Sequence, residues 1–181
     1  MKIFAETDSL LLREIVESDA KDLFELDSNP DVHRYLGNKP IKTLAEIEEI
    51  ISYIRKQYHD NGIGRWAVVD KKTREFIGWS GLKHETKLRK DFHYYDLGYR
   101  LKPKFWGKGI ATETAFLSLN YGFSEMKLSH IYACAHVENI GSYKVLKKVG
   151  FQFLEAFKYE DMLLNWYGFD SKNFIANSTS C

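Results

Sequence analysis

The chain has 181 residues, the length of one folding domain, with 44% hydrophobic and 28% charged residues, so it needs no disulfide or metal to fold. Lys and Arg total 26 against 25 Asp and Glu, which argues against binding nucleic acid through a uniformly basic surface. Aromatic residues are abundant, at 15%, but composition by itself identifies no function.

Cysteine usage and hydropathy indicate the compartment. Cys134 lies in an apolar, strand-like run and Cys181 is the last residue, so the pair does not form a disulfide framework. The first residues contain no apolar signal core, and no segment approaches the roughly 20 apolar residues of a membrane span. We therefore expect a cytoplasmic protein without a membrane partner.

The first third of the chain contains one predicted strand and two predicted helices. The strand covers residues 10–15, and Ser18 is positioned to cap the helix that follows. The buried face of that helix comprises Ala20, Leu23 and Phe24. Thr43 and Glu46 form a capping-box pattern before a second helix. Its apolar positions, at helical spacing, are Ile47, Ile50, Ile51, Ile54 and Tyr58.

The remainder alternates strands and helices. Three antiparallel strands are predicted over 65–70, 76–84 and 92–101, then a helix over 109–123, a strand over 131–136, a helix over 140–149 and strands over 151–159 and 162–168. This pattern predicts an α/β (α+β) fold with a mixed, mostly antiparallel sheet flanked by about four helices. We expect one domain over residues 1–170 and a flexible polar tail over 171–181.

The most informative segment is 101–113, where a strand end is followed by Gly107 and Gly109 and then by a long helix. Backbone amides at a helix start lack partners and suit a phosphate or pyrophosphate. Thr112 occupies the third glycine position of a dinucleotide fingerprint, and no Walker A pattern exists. A tight turn that binds nothing stays open on spacing alone. Flanking cations favour a phosphorylated ligand: Arg100, Lys102, Lys104 and Lys108, with Lys144, Lys147 and Lys148 as a second cluster.

This segment resembles the acetyl-coenzyme A signature Gln/Arg-x-x-Gly-x-Gly/Ala of the GNAT superfamily of N-acetyltransferases, with Lys104 in the place of Gln or Arg. The wider sequence is similar to the ribosomal-protein-alanine acetyltransferase-like (RimJ/RimL-type) branch. The likeness spans about residues 7–169 and is carried by TDSLLLRE (7–14), LGYRL (97–101), WGKGIATE (106–113), NIGS (139–142) and GF (150–151).

The resemblance implies the GNAT fold and acetyl-CoA as co-substrate. It implies that the pyrophosphate is held by the amides of Gly107, Lys108, Gly109, Ile110, Ala111 and Thr112. It also implies that the strand end at Tyr99, Arg100 and Leu101 pairs with the pantetheine arm, which Asn139 contacts as well. The histidines show no metal-ligand spacing, so we expect no metal.

Catalysis needs a base for the acceptor amine, whose pKa is near ~10.4 when it is lysine-like. Asp96 is the first candidate because Rim-type relatives often carry a carboxylate there, with Glu85, Glu155 and Glu160 as weaker ones. An exposed residue paired with Arg100 or a neighbour is the alternative for Asp96.

The departing thiolate needs a proton. Leu146 occupies the position of the tyrosine that many GNAT enzymes use, and the Rim-type pattern suggests Ser142 instead. Asn139 and Ser142 are also ordinary residues for a helix cap and a first helical turn.

These residues predict an enzyme that transfers acetyl to a primary amine, either a protein N-terminus or a small amine such as a polyamine or aminoglycoside. Transfer would be direct, in a ternary complex, since Cys134 is expected to be buried. A non-catalytic acyl-CoA-binding or regulatory module is the alternative, and a nucleotide-binding protein is a weaker one.

The aromatic residues of the central strands are expected in the core, with some lining an acceptor cleft: Trp66, Trp79, Tyr94 and Tyr95. Trp166 and Tyr167, if exposed, would form a homodimer contact.

Overall fold

A computed structural model describes residues 1–89 and 92–178 and shows one eight-stranded sheet in the order β1-β2-β3-β4-β5-β6-β8-β7. Neighbouring strands are antiparallel apart from β5 and β6, which are parallel, so the predicted mixed, mostly antiparallel sheet is confirmed. The strands are β1 (Ile3–Glu6), β2 (Leu10–Glu14), β3 (Trp66–Asp70), β4 (Phe76–Glu85), β5 (Tyr94–Leu101), β6 (His130–His136), β7 (Gln152–Tyr159) and β8 (Met162–Asp170).

The described residues contain six α-helices, and none of them is long and apolar enough to cross a bilayer. They are α1 (Ala20–Asp27), α2 (Pro30–His33), α3 (Leu44–Asn61), α4 (Ile110–Asn120), α5 (Ile140–Lys148) and α6 (Ser171–Ser178). The four predicted helices are therefore present, and the structure adds α2 and α6. It also adds β1, which has only four residues and no run of alternating apolar side chains.

The capping box predicted for α3 is present. The Thr43 amide donates to Glu46 Oε1 at 2.9 Å, and the Glu46 amide donates to Thr43 Oγ1 at 3.3 Å. Two otherwise unpaired amides are thereby satisfied at the helix start. The buried side chains of the helix are Ile47, Ile51 and Ile54.

The sheet separates two apolar cores, and this separation gives the functional site its two sides. On one face, α1 and α3 pack on β2 and β3 through residues that include Leu23, Leu26, Ile47 and Ile51. On the opposite face, α4, α5 and α6 contribute Ala115, Leu119, Leu146 and Phe174 to a second core. Helices on both faces bury the sheet and hold β5 and β6 in the middle of the molecule.

The C-terminal segment differs from the flexible tail predicted over residues 171–181. Residues Ser171–Ser178 form α6, and Phe174 is 7% exposed, packed among Phe116, Phe123 and Phe169. A single aromatic residue in a polar stretch was too weak a pattern to predict this helix. The last part of the predicted tail, 179–181, lies outside the described residues.

The aromatic pair proposed as a dimer contact is not available. Trp166 and Tyr167 are both 3% exposed, because β8 lies between β6 and β7 and is not an edge strand. The exposed apolar side chains of this region are Phe153, Leu154 and Leu163. The homodimer stays a prediction, but it cannot use the two residues named for it.

Candidate active site

A cavity of about 1040 Å³ opens where β5 and β6 part. The register between these parallel strands is fixed at Asp96 opposite Tyr132. Beyond that pair, residues 97–101 of β5 and 133–136 of β6 line the same cavity. Its volume is that of a site for a large cofactor or for a cofactor and a substrate together.

The start of α4 forms one wall of the cavity with an unusual concentration of free donors. Within the described residues, none of the backbone amides from Gly107 to Thr112 has a hydrogen-bond partner, whereas the Glu113 amide donates to the Gly109 carbonyl at 3.0 Å. Unpaired amides at a helix start, together with its dipole, stabilise an anion.

Two glycines keep this wall open. Gly107 has φ of +73° and Gly109 has φ of +82°, a left-handed conformation that a side chain disfavours. A Cβ atom built on either glycine has no neighbour within 4 Å, so the space in front of both amides is free for a ligand. These features fit a pyrophosphate, so the residues present are suited to coenzyme A.

Three of the four cations in the segment 100–108, which favoured a phosphorylated ligand in the sequence, are paired with carboxylates. Arg100 Nη1 donates to Asp27 Oδ1 at 2.6 Å. Lys102, which is 3% exposed, donates to Asp22 and Glu25 at 2.8 and 2.6 Å. Lys104 pairs with Glu75. The carboxylates that pair with these cations are distant from them in sequence, so the spacing of residues could not predict the ion pairs.

Lys108 is the fourth cation of the segment 100–108. Its ammonium lies 5.5 Å from the centre of the Phe105 ring, and its side chain is exposed and does not line the cavity. Lys108 is thus the one residue of 107–112 that does not line the cavity, and its contact with the cofactor through its backbone amide stays a prediction. The other residues predicted to bind the cofactor all line the cavity: Tyr99, Arg100, Leu101, Gly107, Gly109, Ile110, Ala111, Thr112, Asn139 and Ser142.

At the strand end predicted to pair with the pantetheine arm, one backbone carbonyl already accepts a hydrogen bond within the chain. The indole Nε1 of Trp106 donates to the Leu101 carbonyl at 2.7 Å. Because the Leu101 carbonyl already has a partner within the chain, the part of β5 available to pair with the pantetheine arm is the backbone that precedes this carbonyl.

Asn139 and Ser142 are brought together at the start of α5. Asn139 Oδ1 accepts the Ser142 amide at 3.0 Å, which is the ordinary role of a helix N-cap. Ser142 Oγ in turn lies 2.9 Å from the hydroxyl of Tyr99. Burial raises the pKa of Tyr99 above its usual range, more than the hydrogen bond to Ser142 lowers it, so the phenol keeps its proton.

Asp96 lines the cavity but is not the exposed residue, or the partner of Arg100, that the sequence left open as an alternative. It is 7% exposed, and its Oδ2 accepts a hydrogen bond from Arg65 Nη2. Arg65 Nη1 also donates to the Asp96 carbonyl at 2.7 Å and to the Gly81 carbonyl. Among the described residues, Asp96 Oδ1 accepts no hydrogen bond, so one carboxylate oxygen is free.

The three weaker base candidates are separated by the structure. Burial tends to raise the pKa of Glu85, but the hydrogen bond and charge of Lys83 and the amides of Lys87 and Leu88 outweigh it and lower this pKa to about 2. Such a carboxylate is a poor base at neutral pH. Glu155 pairs with Arg89 at 2.6 Å, and Glu160 lies 3.8 Å from Lys39. Neither Glu155 nor Glu160 lines the cavity.

Sequence reasoning missed Arg65 and Asp27. Arg65 is 8% exposed within a run of buried residues from Ile63 to Val69, and a lone arginine in such a run was the signal available. Of the four central aromatic residues, Trp79 lines the cavity, Trp66 and Tyr94 are buried in the core, and Tyr95 is partly buried and packs against it.

Cys134 also faces the cavity and is half-buried. Burial raises the pKa of its thiol, with the charge of Asp96 adding to the effect. A thiol that stays protonated is a weak nucleophile. The described residues contain no group of three or more His, Cys, Asp or Glu side chains that could hold a metal ion.

Comparison with known proteins identifies the family of the chain. Residues 9–152 match the family model for the acetyltransferase (GNAT) domain. The uncharacterized N-acetyltransferase YoaA of Bacillus subtilis (strain 168) is 33% identical over 147 residues, 81% of this chain and 81% of YoaA. Spermidine N(1)-acetyltransferase of Escherichia coli (strain K12) is 27% identical over 144 residues, 79% of this chain and 73% of that protein.

A solved structure agrees in fold. RimL, a ribosomal L7/L12 alpha-N-protein acetyltransferase in complex with coenzyme A, superposes with a TM-score of 0.79 over 93% of this chain and 98% of its own, at 16% identity. The chain therefore belongs to the GNAT family of acetyltransferases, has the GNAT fold and is an acyltransferase.

Proposed function

We propose that this protein transfers the acetyl group of acetyl-CoA to a primary amine, a protein N-terminus or a small amine, by direct attack in a ternary complex. The observation that carries the proposal is the row of unpartnered amides from Gly107 to Thr112 in the wall of the cavity between β5 and β6. This row fits the pyrophosphate of coenzyme A, and the parting strands leave room for its pantetheine arm.

Acetyl-CoA supplies the thioester carbon that the amine attacks. The new N–C bond forms as the C–S bond breaks, and the amine loses one proton while the thiolate gains one. An N–H on the free edge of β5 is suited to stabilise the charge that develops on the thioester oxygen.

In this proposal, Asp96 receives the amine proton at Oδ1, directly or through a water molecule. Arg65 holds the carboxylate by its other oxygen and fixes its direction. Ser142 Oγ supplies the hydrogen bond or proton that the departing sulfur needs, and Tyr99 supports Ser142.

Direct transfer is supported by the state of Cys134. It is the cysteine that lines the cavity, and its raised pKa makes it an unsuitable acyl carrier. A cytoplasmic location and membership of the Rim-type branch stay predictions.

Calorimetric titration with acetyl-CoA, followed by thiol release across a panel of peptides, polyamines and aminoglycosides, tests the proposal. We expect saturable binding and amine-dependent thiol release. Absence of acetyl-CoA binding would contradict the proposal that acetyl-CoA is the co-substrate. Binding without turnover of any amine would favour a non-catalytic acyl-CoA-binding module.

A further inference from the structure

The cavity reaches both faces of the sheet, and the side on which the acceptor amine binds, here called the acceptor side, is the one opposite the cofactor. The start of α4 and Ser142 of α5 belong to one face, and the cavity continues through the gap between β5 and β6 to α2 and α3 on the opposite face. An amine that attacks a thioester held between the strands must arrive from the face that the cofactor does not occupy.

Apolar and aromatic side chains line that acceptor side. Tyr53 on α3 is 45% exposed, and Leu36, which follows α2, is 40% exposed, so both present apolar surface at the mouth. The apolar side chains of this side include Tyr35, Leu36, Ile50, Tyr53 and Ile54. Such a surface favours an apolar group on the incoming molecule.

Four carboxylates line the described part of the cavity, and each already has a cation of its own. Asp27 pairs with Arg100 at 2.6 Å and Asp96 with Arg65, while Glu85 pairs with Lys83 at 2.5 Å and Asp31 with Arg34 at 2.8 Å. Four cationic side chains thus balance four anionic ones, and no excess negative charge remains to attract a polycation.

Three of these pairs are too buried to exchange their cation for a substrate ammonium. Asp27 is 2% exposed, Asp96 is 7% and Glu85 is 8%. A substrate ammonium that displaced one of these internal cations would leave that cation without a counter-charge, which is strongly unfavourable. Asp31 and Arg34 are exposed, so this pair alone can open at little cost.

The Trp79 ring in the cavity wall, which could bind a second ammonium, is also occupied. The guanidinium carbons of Arg65 and Arg100 lie 5.2 and 5.1 Å from the centre of the Trp79 ring. Cation–π attraction at this ring is therefore satisfied within the chain.

We infer that the acceptor is a primary amine carried on an apolar or aromatic group, without a second cationic centre, and that polyamines are poor acceptors. The inference rests on the proposed function and narrows its acceptor. It departs from the spermidine acetyltransferase to which the chain is 27% identical.

Hexylamine and 1,6-diaminohexane make a matched test, because they differ only in the second amine. We expect kcat/KM for thiol release from acetyl-CoA to be at least ten-fold higher for hexylamine, and phenethylamine to exceed spermidine by a similar factor. Equal rates, or a preference for the diamine or spermidine, would overturn the inference and leave the acetyltransferase proposal intact.

A binding measurement keeps the inference testable without turnover. With coenzyme A bound, hexylamine should raise the melting temperature more than 1,6-diaminohexane at equal concentration, and the reverse order would contradict the inference. A failure to bind coenzyme A or acetyl-CoA would overturn the proposed function and this inference with it.

A pair of aromatic variants locates the effect. Tyr53→Ala should lower kcat/KM for hexylamine and phenethylamine about five-fold or more and change that for methylamine less than two-fold. Phe153→Ala removes an aromatic side chain that is 56% exposed on β7, away from the cavity, and should change none of these values. Equal effects of the two substitutions would contradict the assignment of the acceptor side.

Discussion

The hydroxyl of Tyr99 on β5 lies 2.9 Å from Ser142 Oγ on α5, across the gap in which the acyl-CoA arm is proposed to lie. The same hydroxyl lies 3.2 Å from the Ser142 carbonyl oxygen. Tyr99 has one proton to donate, and its raised pKa keeps that proton in place. When it donates to Ser142 Oγ, the serine proton is free to point at the departing sulfur.

Tyr99→Phe removes this contact while keeping the ring. We expect kcat to fall about five- to ten-fold, which is the effect of one hydrogen bond, with little change in the Kd for acetyl-CoA. Steady-state kinetics and calorimetry measure the two quantities. Tyr143→Phe changes an exposed side chain on α5, the helix that carries Ser142. It is the control and should leave kcat and the Kd for acetyl-CoA unchanged. A weaker affinity with normal kcat would assign Tyr99 to cofactor binding instead.

Asp96→Asn keeps the shape of the side chain, and kcat should fall by about 10²–10⁴ because a general base is lost. Either substitution removes the counter-charge of the buried Arg65, and alanine also removes the oxygen that accepts its hydrogen bond, at a cost of about 3–5 kcal/mol in the free energy of unfolding, whereas the amide oxygen of asparagine can still accept it. The asparagine variant is therefore the informative one. Its melting temperature and acetyl-CoA affinity report folding and binding separately, and unchanged turnover would remove Asp96 from the mechanism.

Gly109→Ala adds a Cβ in the open space before the α4 amides and strains a φ of +82°. We expect the Kd for acetyl-CoA to rise at least ten-fold because the added methyl group hinders the pyrophosphate. Gly62→Ala is a matched control, since Gly62 has φ of +69°, no atom within 4 Å of a built Cβ, and a position at the end of α3 away from the cavity. Both variants should lose about 1 kcal/mol of stability, and only Gly109→Ala should lose affinity.

Glu85 makes the folded protein sensitive to acid. Its pKa is about 2 in the folded state against an ordinary value of 4.5, so its contribution to stability is fully present above about pH 5 and is lost as the pH falls toward 2. The difference corresponds to about 3 kcal/mol in the free energy of unfolding.

Glu85→Gln should therefore be less stable than the parent protein at pH 7, with a stability difference that shrinks as the pH falls below 4. Urea unfolding at several pH values measures this difference. A difference that is independent of pH would show that the ionised carboxylate is not the stabilising group.

The sequence predicted most of the elements because each carried a local pattern, such as the capping box of Thr43 and Glu46 or the glycines before α4. It also predicted that Asn139, Ser142 and residues 107–112 would meet at one site, and all of these residues except Lys108 line one cavity. Ion pairs were the main failure. Arg100 binds Asp27 and Lys102 binds Asp22 and Glu25 across more than 70 residues, and no local pattern encodes such a contact.

Burial was the second failure. Trp166 and Tyr167 are indistinguishable in sequence from exposed aromatic residues until β8 is placed between β6 and β7. Asp96 on β5 pairs with Arg65, the residue before β3, because β4 lies between β3 and β5 and aligns them, and that alignment exists only in the folded sheet.

The most direct test of the central claim is the mass of the product formed from hexylamine and acetyl-CoA. The protein is predicted to yield hexylamine carrying one acetyl group, with one free coenzyme A thiol released for each product molecule and with no acetylated protein accumulating. Acetyl-CoA that binds but is not consumed with hexylamine or with any amine of the peptide, polyamine and aminoglycoside panel, or an acetyl group found on Cys134, would contradict direct transfer to an amine.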